Sequence, residues 1–198
     1  MNNHVTVLEI DGNALKHNLH YFKQKLKPET KILAVVKAFG YGSDGVQVAD
    51  FLKDKVDYFA VAYASEGIAL REAGIRTPIL VLHPQIPTLQ AIVEYQLEPN
   101  LYCFKVFDAF LELAKEAALV DYPIHLKFNT GLNRLGFKHE DISKILSCLK
   151  ETNHIKVQSL FSHLAASEDL NERNFTTNQI ANFTFVAQEF YKNLSYEP

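Results

Sequence analysis

Apolar residues along this chain recur in two alternating rhythms. Short β-branched or aromatic runs, ILAVVKA (32–38), FAVAYA (59–64), PILVLH (78–83), IHLKFN (124–129) and VQSLFSHL (157–164), are separated by longer segments where apolar positions return every three or four residues. That alternation is the pattern of βα units around a parallel sheet. VTVLEI predicts a first strand, followed by a helix over about 11–26 with Asp11 as its cap. A helix over about 43–53 places Val46, Ala49 and Phe51 or Leu52 toward the sheet, and one opening at Ser65 carries Ile68, Leu70 and Ala73 and closes at Gly74. PTLQAIVEY and about 107–118 follow as helices. HEDISKILSCLKE is amphipathic through Ile142, Ile145, Leu146 and Leu149, and the last helix, about 177–194, has Ile180, Phe183, Ala187, Phe190 and Leu194 on one face. LEPNLY is a weaker strand, because Pro99 lies inside it.

Counted this way, the chain holds six strand-then-helix units after the N-terminal strand. Such a series fits either a doubly wound sheet or a (β/α) barrel, and a complete barrel takes eight strands and typically about 250 residues. With 198 residues and no strand after the last helix, the expectation is an α/β fold, a TIM-type barrel with about six of its eight units. The expected division is an N-terminal strand over 1–10 and a barrel over 11–198.

Composition narrows the partners. Hydrophobic residues make up 47% and charged ones 22%, which excludes disordered, collagenous and coiled-coil readings. A net charge of −3 without a basic block lacks the footprint of a nucleic-acid or anionic-membrane binder. Cys103 and Cys148 are far apart and belong to no CxxC, so neither a zinc site nor a disulfide framework is expected. His17 and His20 stand three apart on the first helix without a third ligand, and they read as part of a solvated face. Glu168 and Asp169 read as loop or capping carboxylates. No signal segment and no apolar run near the ~20 residues of a membrane span is present, so the expected setting is the cytoplasm.

Three stretches put chemistry at strand ends: Lys37 and Tyr41 after ILAVV, Arg134 after IHLKFNTGLN, and His163 in VQSLFSH. In open parallel sheets and in barrels alike, the carboxyl ends of the strands form the rim where ligands bind. A lysine at a strand end most often reaches into solvent. Partly desolvated, it is instead an amine that attacks a carbonyl, a chemistry arginine cannot perform because it does not give up its proton. Gly40, Tyr41 and Gly42 form the turn into the next helix, where backbone can approach a phosphate closely. By themselves, Arg134 reads more readily as a surface ion pair and His163 as a satisfied core histidine.

The wording of these stretches resembles one family. VVKAFGYGSDG is similar to the Lys-Ala-x-x-Tyr-Gly signature of alanine racemases, pyridoxal phosphate (PLP) enzymes that supply D-alanine for bacterial cell walls. KFNTGLNRLGF resembles the family's Lys-x-Asp-Thr-Gly-Met-x-Arg-Leu-Gly-Phe, FSHLAASED its Thr-His-Phe-Ala-x-Ala-Asp-Glu, and LREAGIRTPILVL has family character. The resemblance implies a PLP-dependent isomerase that interconverts L- and D-alanine for peptidoglycan. It implies that Lys37 holds the cofactor covalently and serves as one acid/base group, that Tyr41 hydrogen-bonds the phosphate, and that His163 lies against the cofactor ring. Arg134 would steer the cofactor's phenolate oxygen and the substrate, and Lys127 would be the lysine that many members carry as a carbamate, paired with that arginine.

The resemblance further implies a homodimer in which a C-terminal β-domain of the second subunit supplies a tyrosine on the opposite face. That domain is expected to lie outside this chain, so the 198 residues alone would racemise poorly. Phe39 stands where the family usually has Asn or Asp, Ser43 where it has His, and Asn129 and Leu132 replace Asp and Met. The Phe and Ser pair is similar to a subgroup fused behind a cell-wall precursor ligase. Two other classes stay open: a non-catalytic PLP-binding barrel protein, and an interaction module that has kept the fold and lost the site.

Overall fold

The computed structural model describes residues 6–196 and Pro198. Its frame is a single sheet of six strands in strict chain order: β1 (Leu33–Val35), β2 (Tyr58–Val61), β3 (Ile79–Val81), β4 (Glu98–Leu101), β5 (Tyr122–Lys127) and β6 (Ile155–Phe161). Every pairing is parallel, with Val35 opposite Ala60, Val61 opposite Val81, Leu101 opposite Leu126 and Lys127 opposite Phe161. A doubly wound sheet reverses its strand order at a switch point, whereas an order that runs from first to last without reversal is that of a barrel wall. Among the described residues β1 and β6 do not pair with each other, so the wall is an open arc.

Helices connect the strands: α1 (Gly12–Lys23), α3 (Gly45–Leu52), α4 (Ala64–Glu72), α5 (Leu89–Glu94), α6 (Phe104–Glu116), α7 (Ile142–Lys150) and α8 (Arg173–Asn193), with α2 (Lys37–Tyr41) a single turn. Asp11 caps α1 as its sequence predicts, its carboxylate accepting from the Asn13 N–H at 2.8 Å. Strands covered on both faces are apolar at every position rather than at alternate ones. Phe59, Ala60 and Val61 in β2 and Ile79, Leu80 and Val81 in β3 are accordingly all buried. Phe59, Val61, Ile79 and Val81 join one core cluster with Ala49, Leu70, Ile92, Phe107, Ile145 and Phe190 from successive helices. Pro99 does lie inside β4, where the ladder keeps two paired positions with each neighbour.

Two expectations need correction. Residues 6–10 of the expected N-terminal strand form no ladder, and Val7 and Leu8 are exposed, since no strand lies beside them to take their hydrogen bonds; residues 1–5 lie outside the described residues. Of the stripe predicted on α8, Phe190 is buried and Phe183, Ala187 and Leu194 are half-buried, but Gln179 and Val186 complete the buried face and Ile180 is 52% exposed. Ile180 and Phe183 instead line an open groove with Leu160 and Leu164 beside the β6 edge, where no further strand covers them.

The inside of the arc carries a buried polar chain. Tyr58 donates to Glu98 at 3.0 Å, His125 Nε2 meets the same carboxylate oxygen at 2.8 Å, and His125 Nδ1 meets Ser159 Oγ at 2.6 Å. An ionised carboxylate only accepts, so the His125 proton sits on Nε2 and the Ser159 hydroxyl donates to Nδ1 when the ring is neutral. Burial, and next the charge of Glu98, push the Tyr58 phenol well above its usual range. The chain ties β2, β4, β5 and β6 together beneath the strand ends.

Candidate active site

Lys37 owes its place to an unusual turn. Val36 continues the ladder beyond β1, donating to Ala60 O at 2.9 Å, and the backbone then winds left-handed through Ala38, Phe39, Gly40 and Tyr41, with φ of 52°, 54°, 59° and 53°. Glycine adopts this region freely, but each of the three non-glycine residues costs about 1–2 kcal/mol there. Such backbone persists only where its surroundings over-determine it. Here one carboxylate does so: Glu66 Oε1 accepts from Ala38 N at 2.8 Å, and Oε2 accepts from Ala62 N at 2.6 Å and Tyr63 N at 3.3 Å. Asp44 then caps α3 through the Val46 and Gln47 N–H groups. Position 45 must be glycine, because a Cβ there would stand 2.7 Å from Val36 O.

Arg134 sits on a loop folded around Asn129. The Asn129 Oδ1 accepts from Gly131 N at 3.1 Å and Asn133 N at 2.9 Å, while its Nδ2 donates to Asn133 Oδ1 at 2.9 Å. The loop closes by bonds between Asn129 N and Phe137 O and between Phe137 N and Lys127 O. At position 136 a Cβ would meet Asn129 N at 2.5 Å, so only glycine allows the return strand this close.

His163 follows β6. Its carbonyl accepts from Gln179 Nε2 at 3.2 Å, and Gln179 Oε1 accepts from Ala165 N at 2.9 Å, so α8 holds the segment in place. Ser162 is bound to the Arg134 loop, its hydroxyl donating to Phe128 O at 2.8 Å and lying 2.7 Å from Thr130 Oγ1.

These segments surround one cavity of about 590 Å³ at the carboxyl ends of the strands, and Lys37, Tyr41, Lys127, Arg134 and His163 all line it. Lys37 is half-buried, Lys127 buried, and Tyr41, Arg134 and His163 exposed at the rim. The Lys127 ammonium lies 5.8 Å from the centre of the Phe161 ring. Burial above all, then Arg134 and Lys37, push the Lys127 amine below its ordinary value. The His163 imidazole is pushed down by burial, then by Arg134, Lys127 and Lys37. No carboxylate is among the described residues lining the cavity. Nitrogen donors that repel one another and have no protein anion between them make a receptor for a ligand bearing several anionic oxygens. A phosphate and a phenolate on one aldehyde-bearing ring fit that donor set, with two primary amines within the same cavity.

Elsewhere, no cluster of three or more metal-ligating side chains occurs among the described residues, and His17 and His20 are exposed on α1. Cys103 and Cys148 are free thiols. No described helix is long and apolar enough to cross a membrane.

Fold and cavity together define a β/α-barrel-like domain with a strand-end cavity lined by two lysines, an arginine and histidines. The family described as alanine racemase, N-terminal domain, matches residues 10–198, and the chain belongs to that family. It is 36% identical over 177 residues to the alanine racemase of Synechocystis sp., a match covering 87% of this chain and 47% of that protein. It is also 36% identical over 180 residues to an amino-acid racemase of Enterococcus faecalis, covering 89% of this chain and 24% of that one. The solved alanine racemase of Clostridium difficile in complex with cycloserine superposes with a TM-score of 0.84 at 30% identity, over 91% of this chain and 50% of that one. The chain spans about half the length of the first curated alanine racemases it matches.

Residues that sequence reasoning passed over also belong to the site. Glu66 and Gln179 hold the Lys37 turn and the His163 segment, but a glutamate near a helix start and a glutamine on an apolar helix face carry no distinctive signal. Ser159 and His83 line the cavity. His83 ends β3's apolar run as Lys37 ends that of β1, so the same strand-end reasoning was available for it.

Proposed function

We propose that the chain forms the cofactor-binding barrel of a PLP-dependent alanine racemase, an isomerase supplying D-alanine to peptidoglycan in the cytoplasm. One observation carries this reading: Lys37, Tyr41, Lys127, Arg134 and His163 line a single cavity that has no carboxylate among its described residues. PLP, when bound, supplies an electron sink that makes the Cα proton of an amino acid removable. Lys37 holds the cofactor and moves that proton on one face of Cα. Tyr41, presented by the left-handed turn, hydrogen-bonds the phosphate. Arg134 donates to the phenolate oxygen and to substrate, and His163 lies against the ring. Lys127, the amine already pushed toward its neutral form, is the one suited to carry a carbamate, whose charge would pair with Arg134.

Inversion needs acid/base groups on opposite faces of Cα, and Lys37 serves one. The other comes, on the family resemblance, from the C-terminal β-domain of a second subunit of a homodimer, so the 198-residue chain by itself is expected to take up cofactor and racemise poorly.

The test is borohydride reduction after incubation with PLP, followed by peptide mapping. The expected label is on Lys37, with a matching visible absorbance band, and both vanish in Lys37→Ala. A label scattered over surface lysines, or none, contradicts the reading. A label on Lys37 in a protein that never exchanges the Cα proton of alanine, even in its full dimeric form, favours a non-catalytic PLP-binding barrel.

A further inference from the structure

We propose that His83 is a substrate-binding residue of this cavity, its Nε2–H donating to the carboxylate of an amino acid held beside Lys37. The inference rests on the function proposed above and adds a residue from the far side of the rim.

Register places the two groups together. Lys37 follows Val35, which is opposite Ala60, so it runs beside Ala62; Val61 is opposite Val81, so Leu82 continues that row and His83, its N–H on Ala62 O at 2.9 Å, stands one residue beyond it. Lys37 and His83 are thus two strand spacings and one residue apart, roughly 10 Å between backbones. The strand between them contributes Ala62, whose methyl group leaves the space above it open, and Lys37, Ala62 and His83 all line the cavity. A lysine stem and an amino acid together span that gap.

Aromatic contacts hold the ring, with no side-chain hydrogen bond to it among the described residues. Tyr102 stacks on it at 5.4 Å between centroids with planes 17° apart, and Tyr63 meets it edge-on at 5.7 Å and 72°. Its Nδ1 is buried and has no hydrogen-bond partner. An N–H there would be a buried donor with nothing to accept it, so the proton belongs on Nε2, on the opposite edge of the ring. A donor at a cavity wall with no carboxylate beside it is matched by a ligand oxygen. Arg134, Lys127 and His163 approach the cavity from β6 and from β5 and the loop after it, and His83 is the nitrogen donor contributed from the β3 side.

The test uses the chain loaded with PLP and follows visible absorbance while L-alanine, or alaninol, which lacks the carboxylate, is added. His83→Phe keeps a stacking ring and drops the N–H; His83→Gln returns a donor. The expected result is that His83→Phe weakens L-alanine binding about tenfold or more, leaves alaninol and PLP affinity unchanged, and is partly rescued in His83→Gln. Equal weakening of alanine and alaninol, or no change in alanine, overturns the inference. A parallel loss of PLP affinity assigns the donor to the cofactor's oxygens and also overturns it. Absence of a Lys37 label in the unsubstituted chain removes the functional reading, and this inference with it. Normal labelling with unaltered alanine binding in His83→Phe removes this inference alone.

Discussion

His163 stands among cations that the fold has gathered, and its titration reports the gathering. Burial first, then Arg134, Lys127 and Lys37, hold its imidazole below the ordinary 6.5. As pH falls through that value the unfolded chain takes up the proton before the folded one does, so folding loses stability with decreasing pH until the lower folded value is passed. The loss is small and shrinks with salt, because the ring is exposed. Thermal melts between about pH 8 and pH 5 at low ionic strength are expected to show this decline, and His163→Gln to flatten it; an identical pH profile in the variant removes the repulsion argument. Individual residues of this kind were the most legible part of the site, since strand-end Lys37, Arg134 and His163 could be placed on one rim from the chain alone. What could not be read is what holds them. Asn129, where the family usually has Asp, uses its Oδ1 to accept and its Nδ2 to donate within one loop, and only the folded loop shows why an amide serves there.

At the scale of elements, α8 acts as a clamp over the ends of β5 and β6. Gln179, 1% exposed, accepts from Ala165 and donates to the His163 carbonyl, while the Thr130 hydroxyl lies 3.4 Å from its nitrogen. Gln179→Leu keeps the helix and removes both bonds to the part-buried backbone of the His163 segment, at about 0.5–1.5 kcal/mol for each bond lost. Urea denaturation should show a lower midpoint at unchanged slope, with weaker PLP binding; a midpoint equal to that of the unsubstituted chain would mean these bonds do not hold the rim. Periodicity located α8 and the buried Phe190 but misplaced the start of its stripe, because it ranks a glutamine as polar and outward and Ile180 as apolar and inward. Both assignments fail where a helix faces backbone ends on one side and an uncovered sheet edge on the other. The left-handed α2 turn was equally hidden, for its glycines mark a turn, while the left-handed run through Ala38, Phe39 and Tyr41 starts at an N–H held by a carboxylate from α4. The alternation of periods, by contrast, made six parallel strand-and-helix units legible, while their sequential order, which separates a barrel wall from a doubly wound sheet, is seen in the folded sheet.

At the scale of the molecule, the arc has two sheet edges instead of none. A closed barrel satisfies every strand on both sides, whereas here β1 and β6 each lack a neighbour among the described residues. The apolar surface follows the same boundary: Leu33 and Val35 on β1 are 41% and 46% exposed, and Leu164 and Ile180 beside β6 are 38% and 52% exposed. Unpaired backbone flanked by uncovered apolar side chains is a template for pairing with another chain, and its two ends are different, so contact of β1 with β6 between copies is heterologous and need not close. The 198-residue chain is therefore expected to self-associate with rising concentration. Sedimentation velocity over a dilution series would show a weight-average mass that climbs, and charged substitutions at the two edges, Val35→Lys and Ile180→Lys, should each lower it. Both side chains are already near half exposed, so neither substitution costs buried packing, and far-UV circular dichroism should remain that of the parent. A monodisperse monomer at every concentration would mean that the edges are protected in solution by a rearrangement of the arc itself.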